Sequence, residues 1–301
     1  MKKTLLVVQG PTGIGKSNLS IQLANHFQTE IVSADSRQLF KELSIGTAVP
    51  TPEELKQVSH HLIHSHSILE DYNASRFETE AVGLISRLFN KLDLLVMTGG
   101  SMLYVDAVCK GIDFQPDVDP EIRERLMRDL EEKGIEHLRL QLKQLDEAYY
   151  QQVDLKNPKR LIRALEVCLM TGKPYSSFRT ETTKKRPFQI LKIGLNMDRE
   201  HLYERINQRV DQMMQAGLEN EARSISPHRH LNSLNTVGYK ELFAYFDHEI
   251  SREEAVELIK RNTRRYARKQ LTWLRKDEAI HWFEPHQRSE IIDFIEQNLN
   301  Q

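Results

Sequence analysis

The sequence predicts an α/β fold: a parallel-sheet core with a helical insertion and a mostly helical C-terminal part. Three observations carry this reading. The first third alternates strand-like and helix-like runs, as a parallel sheet covered by helices requires. The texture then turns helical and charged after Gly111, and a strand-like run returns at Phe188. In order, Leu5-Leu6-Val7-Val8 is a short apolar run suited to a strand buried on both faces, and it ends in a glycine turn. Lys16 to Phe27 reads as a helix, Glu30 to Ala34 as a second strand, and Leu92 to Met97 as a third, followed by Gly99 and Gly100. Between the last two, Ala74 to Asn90 repeats its apolar residues with the helical period. Beyond Gly111, Pro116 and Pro120 mark a linker, and Ile122, Leu126 and Leu130 stripe an amphipathic helix. Helical patterning continues through Leu138 to Tyr150 and Pro158 to Met170, stops at Thr171-Gly172-Lys173-Pro174, and gives way to the polar, basic stretch Arg179 to Arg186. After the strand-like Phe188 to Leu195, helices are expected over Arg199 to Ala216, Ala255 to Arg275 and Ser289 to Asn298. The domain expectation is a core in two parts, 1–113 and 188–301, around a helical insertion of roughly 114–187.

Composition agrees with a folded globular chain: 301 residues, 39% hydrophobic and 28% charged. The apolar run Leu5 to Val8 is far too short for a signal-peptide core, and no stretch approaches the roughly 18 apolar residues of a membrane span. Two cysteines, Cys109 and Cys168, are too few for a disulfide framework and lack zinc spacing. A reducing, cytoplasmic compartment is expected, with no membrane partner. Net charge is −1, yet Ile259 to Lys276 holds eight basic residues and no acid. A neutral average hides a basic stripe.

Gly10-Pro11-Thr12-Gly13-Ile14-Gly15-Lys16-Ser17 matches GxxxxGK[ST] between a strand and a helix, where a phosphate loop belongs. Glycines let backbone N–H groups curl round a phosphate, the helix N-terminus adds partial positive charge, Lys16 supplies a point charge, and the Ser17 hydroxyl can reach magnesium. The core is therefore of the P-loop NTPase type, and the loop binds a di- or triphosphate. An ATPase would also close an apolar strand with an acid to hold magnesium and water. Leu92 to Met97 ends instead in Thr98-Gly99-Gly100-Ser101. The strand-end carboxylate is Asp35, beyond the edge where parallel sheets bind ligands. It is a candidate acid or base, or else a turn or helix-capping residue.

Taken together, GPTGIGKS (10–17), SADSRQLFKELSIGTAVP (33–50), HHLI with YNASRF (60–77), TGGSMLYV (98–105), NPKRLIRALEV (157–167), RINQRVDQMMQAGL (205–218), VGYKEL (237–242) and RNTRRYARKQLTWLR (261–275) resemble the bacterial tRNA dimethylallyltransferase (isopentenyltransferase) family end to end. Gly13 and Ile14 depart from the family's more usual Ala and Ser, and His64-Ser65-His66 replaces an aspartate-containing segment. The resemblance implies a magnesium-dependent transfer of a dimethylallyl group from dimethylallyl diphosphate to the N6 amine of the adenosine 3′ of the anticodon. It implies diphosphate in the 10–17 loop with Thr12 in contact, Asp35 as general base, and Lys16, Arg209 and magnesium at Ser17 stabilising the leaving group. It also implies a monomer.

For the tRNA anticodon stem-loop, the resemblance places Asp35, Ser36, Arg37, Gln38 and Ser101 near the target nucleotide, and gives RNA contacts to Arg123, Lys159, Arg160, Leu161, Ile162 and Arg163. The basic helix adds Arg264, Arg265 and Arg268, with Tyr266, Leu271 and Trp273 able to pack or stack; a solvated basic face is the plain alternative. His60, His61, His64 and His66 invite a metal reading, with His60 and His64 able to share a helix face, but no acid or cysteine completes the set and a capping and packing role is expected. Met197, Met213 and Met214 read as core filler and both cysteines as inert buried thiols. Two rivals remain: a P-loop kinase of small molecules or nucleosides using ATP, and an RNA-binding switch gated by a nucleotide.

Overall fold

The computed structural model describes residues 2–113, 119–179 and 183–299. Pro116 and part of the Arg179 to Arg186 stretch lie outside these residues. The chain forms two compact units, one running through Lys110 and from Lys185 onward, the other Gly111–Lys184. The divisions fall three residues earlier than the texture of the sequence placed them. Arg186 explains the second: its guanidinium donates to the carbonyls of Ala107 and Val108 and to Glu78, each at 2.7 Å, which binds it into the larger unit.

In the larger unit, β1 (Thr4–Gln9) leads through the glycine loop to α1 (Lys16–His26), then β2 (Ile31–Ser33), α2 (Pro52–Gln57), β3 (His60–His61), α3 (Ala74–Leu88), β4 (Leu94–Thr98) and α4 (Met102–Lys110). The smaller unit holds α5 (Pro120–Leu145), α6 (Glu147–Tyr150) and α7 (Pro158–Thr171). The larger unit resumes with β5 (Gln189–Leu195), α8 (Arg199–Gln215), α9 (Leu218–Ile225), α10 (Tyr239–Phe246), α11 (Arg252–Leu274), β6 (Ile280–Phe283) and α12 (Arg288–Leu299).

All six strands pair in parallel in the order β3-β2-β4-β1-β5-β6. Side chains of β1 alternate between two buried layers, which is why the run shows no polar face: Leu6 and Val8 enter a core with Ile21, Leu195, Ile206 and Ile291, and Leu5 and Val7 enter another with Phe77, Ile85 and Tyr104. A third cluster joins α8, α9, α10 and α11, where Met213 and Met214 pack; Met197 packs on the first. Cys109 and Cys168 are both buried, and burial pushes the Cys109 thiol up to about 11. In the smaller unit Leu126, Leu138, Leu142, Leu161 and Leu165 make a separate core. There α5 breaks at Gly134, whose φ of +76° only glycine adopts readily.

Two strands escaped the sequence reading. The two-residue β3 lies where a helix face for His60 and His64 was considered; His60 is in a strand and His64 in a loop with φ +47°, so the two share no face. Their neighbours pack and pair as expected of structural histidines: His61 Nε2 meets Glu30 at 2.6 Å, and His66 meets Glu80 at 3.4 Å. Among the described residues no group of three or more His, Cys, Asp or Glu could hold a metal, and no helix is long and apolar enough to cross a membrane.

Candidate active site

Parallel strands bring their carboxyl ends to one edge, so the loops after β1, β2 and β4 converge there. After β1, the loop from Gly10 wraps back into α1. Gly13 has φ +83°, and a Cβ there would stand 2.8 Å from Cγ1 of Ile206 on α8, so its departure to glycine suits both backbone and space. After β2 comes Asp35, and after β4 come Gly99 and Gly100. The last two loops touch: a Cβ on Gly99 would fall 2.2 Å from the Ala34 carbonyl. This contact is what brings the amide of Gly100 to Asp35.

Asp35 makes the contacts of a turn residue and also faces a cavity. Its Oδ1 accepts from the N–H of Arg37 at 2.9 Å and of Gln38 at 3.4 Å, and its Oδ2 from that of Gly100 at 3.3 Å. The carboxylate thus caps its own turn, and it also lines a cavity of about 630 Å³ whose wall includes Thr12, Lys16, Ser17, Arg209 and Tyr266. Lys16 reaches into this cavity from the start of α1, with Nζ donating to the carbonyls of Gly10 and Pro11, both at 3.0 Å. Burial, reinforced by the Arg209 guanidinium and opposed by Asp35, pulls its ammonium down to about 8. Arg209, on α8, donates to the Thr12 hydroxyl at 3.4 Å; burial lowers its pKa and Asp35 opposes the shift. Two cations converge on a glycine cradle opposite one carboxylate. That arrangement suits an anionic leaving group on one side and a proton-losing nucleophile on the other.

The remaining expected residues divide. Ser36 and Ser101 bond to each other, the Ser101 hydroxyl donating to Ser36 Oγ and accepting from its N–H, both at 2.8 Å. Arg37 lines the cavity, its pKa lowered by burial. Gln38 spends its amide on its own loop, donating to the carbonyls of Thr47 and Ala48 at 3.2 and 3.0 Å. On α11, Arg265 lines the cavity and also an outer groove with Arg268, Lys269, Thr272, Trp273 and Lys276. Arg264 differs: it turns to α8, donating to Asn207 at 2.5 Å and lying over Tyr203. In the smaller unit, Lys159 and Arg160 are exposed, and Arg123 and Arg163 both meet the buried Glu166, at 3.0 and 3.4 Å. Leu161 and Ile162 correct the expectation: they are core residues there, 0% and 6% exposed, because apolar side chains on the inner face of an amphipathic helix pack inward.

Two residues went unnoticed in the sequence. Glu221 on α9 accepts from the N–H groups of Ser44, Ile45 and Gly46 at 2.8–2.9 Å and from the Tyr239 hydroxyl at 2.7 Å, holding a loop whose Gly46, Thr47 and Ala48 line the cavity. Gln270 on α11 is 1% exposed and bonds to both Thr12 and Gly100. Neither carries a local signal beyond a polar residue on a helix.

A family model described as IPP transferase matches residues 38–277. The chain is 57% identical over 297 residues to tRNA dimethylallyltransferase 1 of Bacteroides thetaiotaomicron, covering 98% of this chain and 96% of that one. It is 54% identical to the protein of the same name from Bacteroides fragilis, covering 99% of each. Among solved structures, the full-length tRNA isopentenylpyrophosphate transferase of Bacillus halodurans superposes with a TM-score of 0.73 at 35% identity, covering 99% of this chain and 97% of the other. A eukaryotic dimethylallyltransferase acting on tRNA shares the fold, with a TM-score of 0.79 at 24% identity over 98% of this chain and 80% of that one.

Proposed function

The chain belongs to the IPP transferase family, and from that premise we propose that it transfers the dimethylallyl group of dimethylallyl diphosphate to the N6 amine of the adenosine 3′ of the anticodon, position 37 of tRNA. The products are N6-isopentenyladenosine and diphosphate. One observation carries the reading: Asp35 lines the same cavity as Lys16 and Arg209, so base and leaving-group cations share one chamber.

An adenine amine is a poor nucleophile because its lone pair is delocalised into the ring. As its nitrogen bonds to the allylic carbon, the carbon–oxygen bond to diphosphate breaks and the electron pair leaves with oxygen. The amine proton passes to the Asp35 carboxylate, whose orientation is held by the three amides it accepts from. Lys16 and Arg209 meet the charge that builds on the diphosphate. The Ser17 hydroxyl lies on the same wall, and with no acidic cluster nearby among the described residues a metal there would draw its other oxygens from substrate and water, as magnesium prefers. When bound, magnesium supplies further neutralisation of the diphosphate. The target base must leave its stack to reach Asp35, and Arg37, Arg265 and Lys269 give the cavity a cationic approach for the RNA backbone.

Incubating the protein with labelled dimethylallyl diphosphate, unmodified tRNA and magnesium moves the label into RNA. Brisk ATP turnover on a small acceptor with no such transfer would instead identify a kinase. Asp35→Ala lowers kcat by about 10²–10⁴-fold, the usual scale of general-base loss, and leaves tRNA affinity nearly intact. A loss confined to tRNA affinity would remove the base from Asp35.

A further inference from the structure

Gln270 lies 258 residues beyond Thr12, yet its Oε1 accepts from the Thr12 N–H at 2.8 Å while its Nε2 donates to the Gly100 carbonyl at 2.8 Å. A side-chain amide serves both at once, its oxygen accepting from the donor and its nitrogen donating to the acceptor. Gly100 in turn donates its N–H to Asp35 Oδ2. The linkage is tight: a Cβ on Gly100 would lie 2.9 Å from Asp35 Oδ2 and 3.5 Å from Gln270 Nε2. The Tyr266 hydroxyl, one helical turn earlier, donates to the same Gly100 carbonyl at 2.9 Å. One buried amide therefore spans the loop on the leaving-group side and the loop on the base side.

We propose that Gln270 is a positioning residue that sets the distance between the diphosphate cradle and the Asp35 carboxylate, with Tyr266 steadying the shared carbonyl. This rests on the transferase reading above. The span matters because the nucleophile must sit between the two loops, in contact with the base and in line with the departing oxygen. A misplacement of about 1 Å in such a geometry costs on the order of 100-fold in rate. Gln270 meets the cradle at the Thr12 N–H, which it occupies, and bonds to neither Lys16 nor Arg209, the cations that meet the diphosphate. Its role is therefore expected to show more in kcat than in KM.

The test compares kcat and KM of the 301-residue parent with those of Gln270→Ala, Gln270→Glu and Tyr266→Phe, using labelled dimethylallyl diphosphate and tRNA, with thermal melts to normalise for folded protein. Gln270→Ala is expected to lose about 10–100-fold in kcat with the KM for dimethylallyl diphosphate changed less than about threefold. Gln270→Glu keeps the shape and sets a carboxylate against the Gly100 carbonyl. Its protonated form restores one donor and one acceptor, so its kcat, taken as a ratio to the parent's at each pH, is expected to rise as pH falls from 8 to 6. Tyr266→Phe removes one hydroxyl from a ring that is 38% exposed, so it reads the carbonyl's position without opening the core; a several-fold fall in kcat is expected. Variants with parental kcat, a loss confined to KM, or a glutamate variant whose pH profile parallels the parent's would overturn the positioning role while the transferase reading stood. A parent that transfers no label would overturn both.

Discussion

At Lys16, burial and the neighbouring Arg209 hold the ammonium at about 8, so the empty cradle loses its central charge within reach of ordinary assay conditions. The sign follows directly. Below about 8 the lysine is charged and attracts diphosphate; above it the free protein must take up a proton to bind. KM for dimethylallyl diphosphate should stay flat below pH 8 and rise about tenfold for each unit above, with kcat little changed because bound anion restores the charge. A KM that stays level to pH 9.5 would place the charge that selects diphosphate elsewhere. Stability runs the other way: the ligand-free fold gains as pH rises from about 8 toward 10.5, where an unfolded lysine still holds its proton. At this scale the sequence spoke unevenly. Gly10 to Ser17 is readable because its chemistry is local, and Asp35 because a strand points at it. Gln270 and Glu221 are not, since the groups that give them meaning lie 258 and 177 residues away.

Among the elements, α11 joins the most functions. Its inner face holds Gln270 and Tyr266 against the Gly100 loop, and its outer face carries Arg265, Arg268 and Lys269 around Trp273, with Lys276 just past the helix end; the Trp273 indole N–H donates to Asp106 at 2.9 Å. The division explains how one helix can be strongly basic and still bury a glutamine. If Arg265 meets a tRNA phosphate, Arg265→Ala lowers the slope of log affinity against log salt by about 1 and weakens all tRNAs alike. Unchanged affinity across salt would assign that arginine to the solvated face. The long helices were legible from their period, and the β1, β2, β4 and β5 strands from their short apolar runs, with glycines following β1 and β4. The two-residue β3 and the four-residue β6 were not: His60–His61 carries no alternation, and Ile280–Phe283 is paired only because Gly194 of β5 leaves room beside it for Ile280 and Trp282.

For the molecule as a whole, the core is interrupted by a 74-residue unit and closed again at Arg186. That side chain and Glu78, 9% and 8% exposed, form a charged pair inside the larger unit. Arg186→Ala should cost about 3–5 kcal/mol, the scale for breaking a buried pair, and lower Tm by on the order of 10 °C. A melt within about 2 °C of the parent would mean that water or a neighbour takes over Arg186's place. The division into core and insertion was visible as a change in charge texture. Its limits were not, because Arg186 looks like part of a basic stretch until its carbonyl partners are known.

The order of the strands also bears on how the protein is made. β1 is translated before the other five strands of this sheet, yet one of its two hydrogen-bonding edges belongs to β5, which follows some 180 residues later. Gly10 leans on Leu195 and Gly13 on Ile206, so the anion cradle has no finished floor until those residues emerge. Translation must therefore carry an open sheet edge through synthesis of the entire insertion, and a nascent chain stopped short of α8 has the motif without the pocket.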